Sequence, residues 1–449
     1  MNVNFTLKSL GSQLLAPSRL CLVGAISIAP LSTSAFANNG ASESEAAAAI
    51  VAAQDTAEVP VVESEFRQAL TGGKWWLKLR YRFENVDQDG FDDQAHASTL
   101  RTVFGYETAE YKNFRGLLEF EDVTVLGDDD AYNSTINGAT TRPVVADPKG
   151  TEVNRVFAGY TGITNTDVRL GRDRIKLDND RFIGNVGWRQ NEQTFDAASA
   201  KYANDSGMGF FYAYVSNVNR IFGKQSPMGS AAMNSHLINA SYNFDNLGKV
   251  SVYGYLLDYD YAPTSSTNTF GARFAGKNKH DSWGLVYEAE YANQGDTGDN
   301  TTDVDADYMH GSFGVDFSGF LIQAGYEVLG GSGTPGDSFQ TPLATLHKFN
   351  GWADKFLSTP ANGLKDSYVK LGWTYGKGNL ALVLHNFEPD TDTALVTEYG
   401  SEIDAVWGHK VNADLSVGIK YADYSADDAA IGAQAADTTK GWLWAAYSF

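Results

Sequence analysis

The stretch that decides the fold is Leu77-Lys-Leu-Arg-Tyr-Arg-Phe-Glu84, in which apolar and charged side chains alternate at every position. A period of two is the pattern of a β-strand with one apolar face and one polar face. The same alternation returns along the rest of the chain, in about 18 segments. Clear examples are 238–244, 283–291, 320–326, 369–375 and 415–421. The sequence therefore predicts an all-β protein.

The connections between these segments alternate between tight and long. The tight ones are predicted at 245–248, 276–279, 376–378 and 412–414, and the long polar ones at 127–150, 220–235, 294–303 and 330–365. Short turns on one side and long loops on the other are typical of outer-membrane barrels. Strands of ~10 residues are long enough to cross the bilayer when tilted. The predicted fold is a transmembrane, antiparallel up-and-down β-barrel of about 18 strands, with short periplasmic turns and long external loops.

The composition excludes several classes of protein. The chain has 449 residues and a formal net charge of −21, and its mean hydropathy is −0.29. No run of ~18 apolar residues follows the N-terminal segment, which excludes a helical membrane protein. The acidic balance argues against nucleic acid as a partner, because phosphate binding needs a basic face. The histidines lack metal-binding spacing, so we expect no metal, no cofactor and no enzyme.

The two ends of the chain point to export and membrane assembly. Residues 1–37, with an apolar core and Ala35-Phe-Ala37 at cleavage spacing, are predicted to be a secretory signal peptide. Residues 38–74 are predicted to be a flexible periplasmic segment, with a short helix or plug as the alternative. Residues 75–449 are the predicted barrel. They end in Phe449 on an apolar strand face, which resembles the signature recognised by the barrel-assembly machinery. The expected location is the outer membrane of a Gram-negative bacterium, in contact with lipid and lipopolysaccharide.

Several motifs resemble the alginate-export family of outer-membrane porins. The most specific are 177–184 and the run WRQNEQTFD at 188–196. Further motifs lie at 79–84, 170–174, 339–343 and 346–354. The resemblance implies an 18-stranded monomeric barrel whose lumen passes anionic polysaccharide or related anions. The chain departs from this pattern in its acidic loops, which suit a polyanion poorly at the mouth of the pore.

Residues opposite the apolar set are predicted to point into the lumen. The predicted pore-lining basic residues are Lys78, Arg80, Arg82, Arg101, Arg155, Arg169, Arg273, Lys370 and Lys420. The inward acidic residues by the same rule are Glu84, Glu107, Glu119, Glu121, Glu288, Glu290, Glu327, Glu402 and Asp404. Basic rings favour anions, so the first set predicts binding of anionic solutes. The alternative is that both sets form salt-bridge ladders that only solvate the lumen.

The alternation loses phase around 171–176, and some arginines beyond it belong either to strands or to a loop inside the lumen. These are Arg172, Arg174, Arg181 and Arg189. The sequence leaves open whether the connections 127–150, 176–193 and 330–365 fold into the barrel.

The predicted function is that of a porin for passive diffusion of small or oligomeric anions, such as uronates, alginate-like sugars or organic acids. Lys78, Arg80 and Arg82 occupy consecutive inward positions, and Arg101 is expected on the neighbouring strand. Charges beside a narrow path are screened less than loop charges, so we expect a modest preference for anions. Two alternatives remain open. One is a dedicated polysaccharide exporter with periplasmic partners, and the other is a barrel enzyme or adhesin.

Overall fold

The computed structural model describes residues 64–392 and 396–449. The predicted signal peptide and most of the predicted periplasmic segment lie outside these residues. Helix α1, Glu65–Thr71, begins after Ser64, whose hydroxyl accepts a hydrogen bond from the Arg67 backbone N–H at 3.2 Å. Tyr106 donates its hydroxyl proton to the Leu70 carbonyl at 2.6 Å. The hydrogen bond fixes the end of α1 against the adjacent barrel strand.

Eighteen strands follow α1. They are β1 Lys74–Gln88, β2 Ala95–Glu107, β3 Phe114–Val125, β4 Gly150–Ile163, β5 Thr166–Asp173, β6 Thr194–Ala203, β7 Met208–Asn219, β8 Ser230–Phe244, β9 Gly248–Leu257, β10 Thr267–Lys279, β11 Trp283–Asp296, β12 Asp305–Phe317, β13 Phe320–Leu329, β14 Leu364–Tyr375, β15 Gly378–Glu388, β16 Gly400–Lys410, β17 Leu415–Ala426 and β18 Thr438–Ser448. Short 3₁₀ turns lie at Asp129–Ala131, Pro263–Ser265, Leu346–Lys348 and Gly432–Ala435. Among the described residues, no helix is long and apolar enough to cross a membrane.

Each strand pairs antiparallel with its neighbours in sequence, and the ring closes where β18 pairs with β1. Tyr81 faces Ala445 across this closure. At its end, Phe449 and Leu77 exchange two backbone hydrogen bonds of 2.8 and 3.1 Å. Closure leaves no unpaired strand edge, which the water-free bilayer requires. The predicted antiparallel barrel of 18 strands is confirmed.

The alternation of the sequence corresponds to the two faces of the barrel wall. Large apolar side chains such as Ile322 and Phe320 are 64 % and 54 % exposed on the outside. Phe320 stacks on Trp373 of the neighbouring strand, with ring centroids 5.1 Å apart. Inward residues of the same strands, such as Glu327, are buried in the lumen. Lipid rather than water therefore faces the apolar side chains.

The loop predicted at 294–303 is displaced slightly, because β11 ends only at Asp296, and two other predicted connections are wrong in their position. The turn predicted at 276–279 belongs to β10, where Asn278 pairs with Leu285, and the true turn is 280–282. The loop predicted at 220–235 ends at 229, because β8 already begins at Ser230. Both errors have one cause. Strand ends that project beyond the lipid band carry polar residues on both faces and look like loops in the sequence.

Candidate permeation pathway

Three of the long connections enter the barrel. We call them the first lumen loop (126–149), the second lumen loop (174–193) and the third lumen loop (330–363). Each contributes side chains that are buried against inward strand residues. The sequence left the position of these connections open, and the structure places parts of all three inside the wall.

An apolar cluster joins the second and third lumen loops to one side of the wall. Phe182 of the second loop packs against Tyr253 and Tyr308 of the wall, with ring centroids 5.3 and 5.2 Å apart. The ring of Phe339, in the third lumen loop, lies 5.8 Å from the ring of Phe182. The lumen therefore contains a packed core of aromatic side chains.

Arg82 anchors the first and second lumen loops at the seam of the barrel, where β1 meets β18. Its guanidinium forms a very close ion pair with Asp147 and lies 3.4 Å from Glu84. It also donates to the carbonyl of Trp188 and sits 5.2 Å from the centre of that indole ring. Only 1 % of Arg82 is exposed. The residue predicted to line the pore is thus covered by two loops.

Arg189 of the second lumen loop completes this anchor. It donates to Glu84 at 3.2 Å and to Asp354 of the third lumen loop at 3.1 Å. Burial alone would raise the pKa of Asp147, but Arg82 and Arg189 hold it below its ordinary value. Buried charges of both signs are therefore paired across loop and wall.

Arg80 and Arg101 stand directly opposite each other on β1 and β2. Arg80 donates to the Gly187 carbonyl at 2.8 Å and to Gln190 Oε1 at 3.0 Å, both in the second lumen loop. Arg101 donates to Glu121 Oε2 at 2.6 Å. The two guanidinium groups are adjacent, as the strand pattern predicts, and both are engaged by protein partners.

Glu192 of the second lumen loop is held by two arginines. Arg101 donates to it at 3.0 Å and Arg174 at 2.7 Å. Burial would raise the pKa of Glu192, but the Arg174 hydrogen bond and both positive charges lower it to about 2. Arg174 therefore belongs to the loop folded into the lumen, which was the alternative that the sequence left open.

Lys420 of β17 binds the third lumen loop. Its Nζ donates to His347 Nε2 at 2.8 Å and lies 3.7 Å from the centre of the Trp352 ring. His347 Nδ1 is 2.7 Å from Asp354 Oδ1. The other oxygen of this carboxylate, Oδ2, accepts a hydrogen bond from Lys440 Nζ at 2.8 Å. Burial lowers the pKa of His347 to about 3. The imidazole is therefore neutral at pH 7, with Nδ1 donating to Asp354 and Nε2 accepting from Lys420.

A cavity of about 550 Å³, which we call the basic cavity, lies between the wall formed by β4 to β9 and the second lumen loop. Its charged lining consists of Arg155, Arg169, Arg174, Lys176, Lys201 and Lys249, against Asp167, Asp173 and Asp178. Arg155 pairs with Asp173 at 2.5 Å, and Arg169 pairs with Asp167 at 2.7 Å. Lys201 is exposed and forms no ion pair with any described residue. The basic groups outnumber the acidic ones around this cavity.

The remaining predicted residues, Lys78, Arg273 and Lys370, are spread around the ring. Lys78 is exposed at a smaller cavity of about 330 Å³ that Arg80 and Arg101 also line. Arg273 pairs with Glu288 at 2.8 Å on the opposite side of the ring. Lys370 lines a further cavity of about 340 Å³. The predicted set therefore does not form one continuous row.

Sequence reasoning missed Lys201, Lys249 and Lys440. Lys201 and Lys249 each lie beside an outward apolar residue of their strand, so the period of two contains the information, whereas Lys440 lies between Thr439 and Gly441. The signal is hidden on β9 and β18, because inward residues such as Tyr253 and Trp442 are as apolar as the outward ones. Those aromatic residues face the lumen because they pack against the lumen loops.

Comparison with known proteins places this chain in a class. The family model for alginate export matches residues 75–335, which is more than half of the chain. Comparison with curated proteins gave no match. The chain belongs to the alginate-export family, and the predicted resemblance is confirmed.

Several solved structures are similar to this barrel. OpdK, an outer membrane protein of Pseudomonas aeruginosa, has a TM-score of 0.65 and 13 % identity over 85 % of this chain and 99 % of its own. OccK9 (OpdG) of the same organism has a TM-score of 0.66 and 14 % identity over 85 % and 99 %. OccAB4 of Acinetobacter baumannii has a TM-score of 0.63 and 14 % identity over 84 % and 98 %. With the family match, these neighbours identify an outer-membrane porin-type barrel of a Gram-negative bacterium.

Proposed function

We propose that this barrel is a passive channel for small or oligomeric anionic solutes. The observation that carries the proposal is the basic cavity, where Lys201 has no carboxylate partner in the described part of the chain and Lys176 is half exposed, 3.4 Å from Asp180. Exposed cations beside a confined aqueous space attract anions and repel cations. Acidic residues dominate the whole chain, but charges on external loops are screened within ~8 Å at physiological salt.

The solute class follows from the size and lining of the basic cavity. A volume of about 550 Å³ lies within the range of small-molecule sites. Phe195 and Tyr202 supply apolar surface beside the basic groups. We therefore propose uronates, short alginate-like sugars and organic acids, including aromatic carboxylates, as solutes. One crystal structure of the fold neighbour OpdK contains vanillate, an aromatic carboxylate.

Reversal potentials in a potassium chloride gradient across a planar bilayer test the proposal. We expect the wild-type channel to prefer chloride modestly, and glucuronate to reduce the chloride current more than glucose does. A channel that prefers potassium would contradict the anion proposal. In that case the external acidic loops or the inward carboxylates would govern selectivity.

A dedicated polysaccharide exporter is the second candidate, and the family description favours it. Export of a polymer requires a continuous wide path, so the second and third lumen loops would have to leave the lumen. A disulfide that ties the second lumen loop to the wall distinguishes the two functions. The channel proposal expects glucuronate passage to continue in the tied protein, and export expects polymer passage to stop.

We further propose that Phe449 is the residue by which the assembly machinery recognises the chain, and that the barrel is a monomer. Phe449 closes the seam through its two hydrogen bonds to Leu77, and its ring lies 5.0 Å from that of Trp75. Deletion of Phe449 is expected to reduce the heat-modifiable form of the protein in cells. Normal assembly of the deletion variant would contradict this role.

A further inference from the structure

The cavity of about 340 Å³ that Lys370 lines is separate from the basic cavity. Its wall is formed by β11 to β15, and its remaining side is formed by the second and third lumen loops. The basic cavity is lined by strands up to β9, so β10 separates the strands of the two cavities along the ring. We call this space the β14 cavity.

The carboxylates of the β14 cavity are already satisfied by the protein. Glu327 accepts hydrogen bonds from Arg181 Nε at 2.7 Å and from the Tyr308 hydroxyl at 2.6 Å. Asp366 Oδ1 is 2.8 Å from His385 Nδ1. These carboxylates are thus occupied by internal partners and leave little capacity to hold a cation.

The third carboxylate of the β14 cavity is paired as well. Glu288 accepts from Arg273 at 2.8 Å and from the Asn179 amide at 2.9 Å. Lys348 Nζ donates to the Asn179 carbonyl at 2.6 Å and lies 3.6 Å from Asp180. The charge of Lys348 is therefore neutralised by contacts with the second lumen loop.

Lys370 differs from every other charged group of the β14 cavity. Its ammonium group forms no hydrogen bond and no ion pair with any described residue, although the side chain is half-buried. A half-buried ammonium without a partner is unfavourable unless water or a ligand compensates it. Lys370 therefore supplies a positive charge that is available to an anion in the cavity.

The rest of the lining is polar and aromatic rather than aliphatic. Ser312 and Gln323 bond to each other at 3.1 Å, and the Tyr368 hydroxyl lies 3.0 Å from His310 Nε2. Tyr308, Phe349 and Trp352 add further aromatic rings. Hydroxyl and amide groups beside aromatic rings suit a hydroxylated ring, whose faces are apolar and whose edges form hydrogen bonds.

We propose that the β14 cavity is a second binding site, for a hydroxylated monocarboxylate of the size of a sugar acid. Lys370 binds the carboxylate, and Tyr368, Ser312 and Gln323 contact the hydroxylated ring. The choice of a sugar acid rests on the proposed function of the barrel. The site itself rests on the unpaired Lys370 and on the lining of the cavity.

Isothermal titration of D-glucuronate into the full-length protein in detergent micelles tests the site without any need for conduction. We expect two equivalents to bind the wild type, one in each cavity. Lys370→Met is expected to weaken the second equivalent by at least roughly ten-fold, because a charged hydrogen bond is worth ~1.5–3 kcal/mol. Lys370→Arg keeps the charge and is expected to retain both equivalents.

Lys377→Met is the matched control, because Lys377 is exposed in the turn between β14 and β15. It is expected to bind as the wild type does. The heat-modifiable gel shift of each variant checks that the barrel has formed. Wild-type binding by Lys370→Met, or an equal loss in Lys377→Met, would overturn the inference.

The result is distinguishable from a failure of the proposed function. A cation-preferring reversal potential together with Lys370-dependent binding would overturn the anion channel and leave the site in place. An anion-preferring channel with no change in Lys370→Met would overturn the site alone.

Discussion

The seam of the barrel and the wall of the basic cavity carry the same sequence pattern and have different surroundings. Arg82 at the seam and Lys420 on the neighbouring strand β17 are buried beneath the lumen loops and paired with them. Lys201, on β6, faces the basic cavity without an ion-pair partner among the described residues. The alternation of a strand thus predicts the direction of a side chain, whereas the lumen loops decide whether that side chain meets protein or water.

This difference assigns two physical roles to inward basic residues. A buried ion pair contributes little net stability relative to an apolar pair, but the loss of one partner leaves an uncompensated buried charge. At the seam the basic groups therefore hold loops in place. At the basic cavity we expect them to set the local potential that a solute meets.

The largest expected effect is on the stability of the seam. Arg82→Met removes the partner of Asp147 and a neighbour of Glu84, both of which are buried. We expect a loss of ~3–5 kcal/mol in the free energy of unfolding, as for a broken buried pair. Urea unfolding of the protein in phospholipid vesicles, followed by tryptophan fluorescence, measures it.

Arg142→Met is the control for the seam variant. Arg142 pairs with Asp93 at 3.4 Å, where both side chains are partly or largely exposed. Its loss is expected to change the free energy of unfolding by less than ~1 kcal/mol. Equal effects of the two substitutions would show that the seam pairs do not anchor the loops.

The second prediction concerns the attachment of the third lumen loop. Lys420→Met leaves His347 Nε2 without its donor, at a cost of ~1–3 kcal/mol. Amide hydrogen exchange in 346–354 is therefore expected to accelerate by roughly ten-fold or more. Lys370→Met removes a lysine that has no partner among the described residues, and we expect it to leave this exchange unchanged. The attachment through Lys420 would be refuted if both variants exchanged alike.

The same comparison explains what the sequence could predict. Lipid outside and polar groups inside impose a period of two on every strand, so the fold, the strand number and the direction of Arg80 or Lys420 follow from local pattern. The contacts between the lumen loops and the wall do not follow from local pattern. Arg82 and Asp147 are 65 residues apart in sequence, and Arg181 and Glu327 are 146 apart. No local pattern encodes which loop residue meets which wall residue.

The third prediction is a dependence of the third lumen loop on pH. His347 has a pKa of about 3 in the folded protein, below the ~6.5 of an exposed histidine. Its contribution to stability is therefore fully present above ~6.5 and is lost progressively as the pH falls toward the folded value. Protonation would also place a cation against Lys420. We expect hydrogen exchange in 346–354, corrected for its intrinsic pH dependence, to be faster at about pH 4.5 than at about pH 7.5.

His347→Gln is the matched variant for the pH prediction. A glutamine amide has both a donor for Asp354 and an acceptor for Lys420, but it does not titrate. The variant is expected to lose most of the pH dependence. If its exchange responds to acid as strongly as that of the wild type, another group, such as Asp354, is responsible.

The smallest expected effect is on ion selectivity, and it tests the proposed role of the basic cavity. Lys201→Ser removes a cation that faces the basic cavity and is bound to no carboxylate among the described residues, so the fold is expected to remain intact. Lys377→Ser removes a cation from an exposed turn, where salt screens it within ~8 Å. We expect Lys201→Ser to raise the ratio of potassium to chloride permeability by roughly a factor of two, and Lys377→Ser to leave it unchanged. Reversal potentials in the same salt gradient measure both. An unchanged ratio in Lys201→Ser would mean that ions do not pass along the wall of the basic cavity, and the contrast between this wall and the seam would lose its functional meaning.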